Sequence, residues 1–120
     1  MVKFNSVEVS FNNAKLANTL NSDRATQKTY GRDQAKKIQA RLTTLRAGFD
    51  NVGDLLDSGA PGKWHPLRAD RASQVACSLV EPWRLILEPT DLSKAMRDDG
   101  TIDWRLVTSI IIVEIVDYHH

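Results

Sequence analysis

The sequence predicts an α+β fold: a small antiparallel β-sheet flanked by N-terminal helices. Three observations lead there. Apolar residues recur at helical spacing in much of the first half of the chain and alternate at strand spacing in the second. The run Ser58-Gly59-Ala60-Pro61-Gly62 separates the two regimes, because Gly and Pro both resist continuing a helix. Glu81-Pro82 makes a tight connection between two alternating runs, as hairpin neighbours in an antiparallel sheet require. No repeat, low-complexity tract or linker divides the chain, so residues 1–120 read as one unit. A chain this long buries about two thirds of its unfolded surface and can hold a core without staples.

The elements follow in order. Val7, Val9 and Phe11 alternate with Glu8 and Ser10 as in a half-buried strand, and Asn12-Asn13 favours a turn or helix start. A short helix runs through Ala14, Leu16, Ala17 and Leu20. After Gly31, the residues Ala35, Ile38, Leu42, Leu45 and Phe49 mark the clearest helix, with Lys36, Lys37, Arg41 and Arg46 spread over the rest of its cylinder. Asp33 suits its first turn and Gly48 its end. One or two helical turns cover Val52 to Leu56. Beyond the Gly/Pro break come extended segments: Trp64 to Leu67, then Val75, Cys77 and Leu79 alternating with Ala76 and Ser78. Leu85 and Leu87 alternate with Arg84, Ile86 and Glu88. Pro89 ends that strand because it has no N–H for the ladder, and a polar loop from Thr90 to about Trp104 follows. The last strand starts near Val107. Its residues 110–113 are apolar on both faces, which predicts a central position packed on each side.

The formal net charge of +1 conceals an asymmetry: residues 1–46 carry +6 and residues 47–120 carry −5. A phosphate-bearing partner is allowed by the basic half but not demanded, since a Lys-rich helix face is often simply solvated. The single cysteine, Cys77, permits no internal disulfide, and its alternation with Val75 and Leu79 marks it as core. The N-terminus lacks a basic-apolar-small leader, so the cytoplasm is the expected compartment. The longest apolar run is too short to span a bilayer, and no membrane association is expected. Paired cysteines, His-Glu-x-x-His spacing, a Gly-rich phosphate loop and a G-x-S-x-G elbow are all missing from the sequence, so no metal, cofactor or serine nucleophile is expected.

Two clusters carry candidate chemistry. Trp64-His65-Pro66-Leu67-Arg68 is followed by Arg71 and, on a neighbouring strand, by Arg84. The chain ends Asp117-Tyr118-His119-His120. Cleaving RNA without a metal needs a base for the 2′-hydroxyl, an acid for the leaving oxygen and cations for the charge building on phosphorus. His65, His119, Arg68 and Arg84 offer those groups, and on an extended backbone Asp117 shares a face with His119 and can orient it. The competing reading has Arg71 and Arg84 paired with a sheet carboxylate, Asp70 or Glu88 being available, and the terminal residues frayed.

Taken in order, Trp64-His65-Pro66-Leu67-Arg68-Ala69-Asp70-Arg71, then Glu81-Pro82-Trp83-Arg84-Leu85-Ile86, then Glu114-Ile115-Val116-Asp117-Tyr118-His119 resemble the HigB branch of the RelE/ParE toxins. The resemblance spans nearly the whole chain. It implies the toxin of a type II toxin–antitoxin system, a ribosome-dependent mRNA endoribonuclease needing no metal or cofactor. Its implied partners are an adjacent-gene helix-turn-helix antitoxin of the HigA kind, the ribosome and mRNA, and operator DNA reached through the antitoxin. It makes His65 and His119 acid/base candidates, Arg68 and Arg84 phosphate-stabilising cations, and Asp117 and Tyr118 orienting or stacking groups. Arg71, Lys36, Lys37 and Arg41 complete the expected RNA-binding set. Asp91, Asp98, Asp99 and Asp103 would repel RNA if the 90–104 loop lay near the site. Two other classes stay open: a ParE-like binder of DNA gyrase that is not an enzyme, and a degenerate or regulatory partner that binds operator DNA only with its antitoxin.

Overall fold

In the computed structural model, which describes residues 6–117, strand β1 (Glu8–Phe11) gives way to helix α1 (Ala14–Leu20) at Asn13. The Asn13 Oδ1 accepts from the Leu16 N–H at 2.8 Å, satisfying one of the donors that a helix start leaves open. Helix α2 (Asp23–Tyr30) begins the same way, with Ser22 Oγ accepting from the Ala25 N–H at 3.1 Å. The periodicity predicts no helix here, and the reason is visible: Thr26 is its one fully buried residue. Polar contacts hold it instead. Thr26 Oγ1 lies 2.8 Å from the carbonyls of both Thr19 and Ser22, and Gln39 reaches back to the Leu20 carbonyl at 3.1 Å.

Gly31, at φ +86°, turns the chain into α3 (Arg32–Leu45), which buries Ala35, Ile38, Leu42 and Leu45. The helix stops at Leu45, short of Phe49. Gly48 adopts φ +95°, and Phe49 packs on the core from a loop while its carbonyl accepts from the Val7 N–H at 3.0 Å. Helix α4 (Val52–Asp57) is capped by Asn51.

Strands β2 (His65–Pro66), β3 (Val75–Ser78), β4 (Trp83–Pro89) and β5 (Ser109–Asp117) join β1 in one sheet of order β1-β5-β4-β3-β2. The sheet is mixed rather than antiparallel: β1 runs parallel to β5, and the other neighbours are antiparallel. Alternation of side chains carries no information about strand direction, and β1 pairs with a strand a hundred residues away rather than with a hairpin neighbour. β5 lies between β1 and β4, the central position its apolar residues predict.

One face of the sheet packs on the helices. Val75, Cys77, Leu85, Leu87, Ile110 and Ile112 share a single core with Leu20, Ile38, Leu42, Leu45, Val52 and Leu55. The opposite face carries a smaller cluster of Leu67, Ala76 and Ile86, flanked by Val113 and Val116. The register fixes which residue looks where, since cross-strand partners share a face. Leu87 pairs with Ile112 but Ile86 pairs with Glu114, so Val113 is an extra residue on β5. This bulge reverses the alternation of β5 beyond it.

The 90–108 loop leaves from Pro89 and returns at Ser109, and its far end is clamped to α4. Arg105 donates to Asp54 Oδ1 at 2.7 Å and to Asp57 Oδ2 at 2.5 Å. Backbone passes close at this point: a Cβ on Gly53 would lie 2.6 Å from Arg105 Cγ and 2.9 Å from its backbone nitrogen. Gly53→Ala is therefore expected to destabilise by about 1–3 kcal/mol through overpacking, although Ala is the better helix former by about 1 kcal/mol. Urea denaturation measures this, and a raised midpoint would show that Arg105 yields freely.

Burial at the sheet centre pushes the Cys77 thiol up to about 12 from its ordinary value near 9.0. The native state keeps the proton that the unfolded chain releases, so this contribution is intact below about pH 9 and is lost as pH rises towards about 12. A thiol reagent at pH 8 is expected to modify Cys77 only at the rate of unfolding. Immediate stoichiometric reaction of native protein would contradict that.

Candidate functional site

The helix-free face of the sheet gathers much of the expected site. Starting from Ala76 and Ile86, which belong to that face, pairing places His65 beside Ala76 and Glu114 beside Ile86. One register step towards the β3–β4 turn, Ser78, Arg84 and Val116 form the next row. His65 and Arg84 thus look to the same side, with Cα atoms about 12 Å apart from ordinary strand spacing. His65 is exposed, and its Nδ1 lies 2.7 Å from the Lys63 carbonyl. A carbonyl only accepts, so Nδ1 carries the proton and Nε2 faces outwards with its lone pair or, when charged, its second proton.

A segment from Leu67 to Gln74 lies across this face. Leu67 packs on Ala76 and Ile86, and a 3₁₀ turn at Ala69–Arg71 sends Arg71 over to β5. Its Nη2 donates to Glu114 Oε1 at 3.0 Å and its Nη1 to Gln74 Oε1 at 2.9 Å, while Gln74 donates to Glu88 Oε2 at 3.3 Å. Arg71 therefore ties the segment down. Arg68 is exposed on the same segment and makes no side-chain hydrogen bond or ion pair with the described residues.

Arg84 is engaged differently. Its Nη1 donates to Glu81 Oε2 and to the Trp83 carbonyl, each at 2.9 Å. Its Nε and Nη2 take no partner among the described residues. Both arginines are paired, as the plainer sequence reading expects, but with Glu114 and Glu81 rather than Asp70 or Glu88. Partly solvent-accessible pairs of this kind contribute about 1 kcal/mol or less each.

Two side chains of α3 set the position of the turn that carries Glu81 and Arg84. Gln34 Oε1 accepts from the Val80 N–H at 2.8 Å, and Arg41 Nε donates to the Ser78 carbonyl at 2.8 Å. Both are buried. Arg41, only 7% exposed, is removed from the surface group in which the sequence reading puts it, whereas Lys36 and Lys37 are exposed on α3. Arg41→Ala is expected to cost about 2–4 kcal/mol by leaving a cavity and a buried carbonyl without its donor. Lys36→Ala and Lys37→Ala should each stay within about 0.5 kcal/mol. Equal, small effects of all three in urea denaturation would place Arg41 on the surface after all.

The terminal motif is divided. Asp117 pairs with Trp83, which shares the helix face with Leu85, so Asp117 and Arg84 look to opposite sides of the sheet. The bulge at Val113 is the cause. Tyr118, His119 and His120 lie outside the described residues. The acidic loop stands apart from Arg84: about 17 Å of β4 separates Arg84 from Pro89, where that loop begins. Asp91, Asp99 and Asp103 are occupied locally. The Ser93 hydroxyl holds the Asp91 carboxyl below the usual range, and the Thr101 hydroxyl and N–H do the same for Asp99.

Among the described residues, no group of three His, Cys, Asp or Glu side chains is arranged to hold a metal ion, and no helix is long and apolar enough to cross a membrane. Comparison with protein-family models, with curated proteins and with solved structures finds no match. The arrangement can bind an anion at Arg84 and place an imidazole on the same face. Sequence reasoning missed Gln34 and Glu81. The first stands seven residues before Arg41 on the apolar stripe of α3, and the second stands three before Arg84 across a turn.

Proposed function

We propose that the chain is the toxin of a type II toxin–antitoxin pair, a metal-independent endoribonuclease that cuts messenger RNA on the translating ribosome. One observation carries the reading beyond the ordered motifs: Arg84 and His65 share the helix-free face, and two of the three Arg84 nitrogens take no partner among the described residues. A guanidinium with its fork open is suited to two oxygens of a phosphodiester. In this reading Arg84 and Arg68 stabilise the charge on phosphorus, and His65 and His119 act as the acid/base pair. Asp117 and Tyr118 orient or stack. Asp117 faces away from Arg84, so any orienting contact it makes is on its own side. Cleavage by the 2′-hydroxyl yields a 2′,3′-cyclic phosphate and a 5′-hydroxyl. The partners in this reading are the ribosome, its mRNA and a helix-turn-helix antitoxin through which operator DNA is reached, all in the cytoplasm.

Induced expression without an antitoxin is expected to arrest bacterial growth, with new RNA ends inside translated frames that vanish when initiation is blocked. Arg84→Ala should lower the cleavage rate by about 100-fold or more, the scale for losing a preorganised electrostatic partner, with the circular dichroism spectrum unchanged. Cuts spread equally over untranslated RNA would contradict the ribosome-dependent reading. Gyrase-linked DNA breaks with intact messages would point to the gyrase-binding class.

A further inference from the structure

We infer that Glu81 is the general base of the proposed cleavage, held against the scissile phosphate by Arg84. The inference rests on the nuclease reading above and deepens it: Glu81 takes the role of base in place of one of the two histidines, and His65 keeps the role of acid. Arg84 has five N–H donors in a planar fork. Those on Nη1 are spent on Glu81 Oε2 and the Trp83 carbonyl, which leaves Nε and Nη2 for a phosphate. One guanidinium can therefore hold the carboxylate and the phosphate side by side. A 2′-hydroxyl next to that phosphate comes within reach of the carboxylate.

The other ion pair on this face does not have that freedom. Arg71 spends one Nη on Gln74 and the other on Glu114, and so fastens the Leu67–Gln74 segment to the sheet. The Glu81 side chain, by contrast, is 62% exposed, and its partner Arg84 is 21% exposed. Glu81 is open to substrate while Arg84 is held from beneath by the strand. The backbone leading into Glu81 is anchored at Val80 through Gln34 and at Ser78 through Arg41, so the carboxylate is presented from backbone that does not need to move. The other titratable or charged groups on this face are His65, Glu88 and Glu114 on the strands and Arg68, Asp70 and Arg71 on the segment that lies across it.

In the step, the Glu81 carboxylate takes the 2′-hydroxyl proton and the 2′-oxygen bonds to phosphorus. The bond from phosphorus to the 5′-oxygen breaks, and that oxygen takes the proton of the His65 imidazolium. Solvent then returns the proton from Glu81 to His65.

The test measures single-turnover cleavage of a defined mRNA on purified translating ribosomes at one fixed pH near neutrality, for the full chain and for Glu81→Gln and Glu81→Asp. Ribosome binding is measured alongside. Glu81→Gln is expected to cleave about 100-fold or more slowly and to bind ribosomes unchanged. Glu81→Asp, which keeps a carboxylate, is expected to retain part of the rate that Glu81→Gln loses. A Glu81→Gln chain with the wild-type rate overturns the inference while leaving the nuclease reading intact. A wild-type chain that cleaves nothing removes the nuclease reading and the inference with it.

Discussion

The ladder between β4 and β5, and its single slip at Val113, decides what each face of the sheet can do. Seven residue pairs run from Trp83–Asp117 to Pro89–Ile110, and all but one step keep strict register. The slip lets Ile110, Ile112 and Ile115 all turn to the helices while Glu114 and Val116 turn away. Without the extra residue, continuing the alternation of Ile110 and Ile112 would bring Glu114 into the main core and leave Arg71 without its carboxylate. A one-residue irregularity thus supplies the apolar core, the anchor for the segment over the opposite face, and the separation of Asp117 from Arg84.

The helices contribute to that face without touching it. α3 packs an apolar stripe on the sheet, yet it also sends Gln34 and Arg41 to backbone groups at the β3–β4 end. Each buried polar side chain gains a partner, and no buried side-chain nitrogen or oxygen among the described residues lacks one. Electrostatics divides along the same line. Every ion pair among the described residues falls between residues 54 and 114, whereas the exposed lysines of α3 make none. The basic excess of the first half is carried by solvated helix surface, and the second half neutralises its charges locally.

Much of this was legible in the residues. Alternation at Val7, Val9 and Phe11, the Asn13 cap, the α3 stripe and the arrest of β4 at Pro89 all describe what forms. Three features were not. α2 buries a threonine rather than a hydrophobic stripe, so periodicity is silent, although Ser22 followed by Asp23 was a usable start signal. Arg41 reads as a solvent-side residue because it is charged. Its place three after Ile38 and four before Leu45 puts it on the buried stripe. The bulge at Val113 sits in a run apolar on both faces, where no change of pattern betrays a slip. For the candidate site, His65 and Arg84 were found from residue type alone. Nothing in the pattern marks Glu81, because its partner lies across a turn.

If the helix-free face receives phosphate at Arg84, titrating isotope-labelled protein with a nucleoside 3′-monophosphate will move the resonances of that face. Shifts are expected in the Arg84 Nε–H, in Ser78 and Val116 on its row, and in Glu81, with Lys36 and Lys37 on α3 unmoved. Shifts centred on α3, with the Arg84 Nε–H unchanged at saturation, would contradict it.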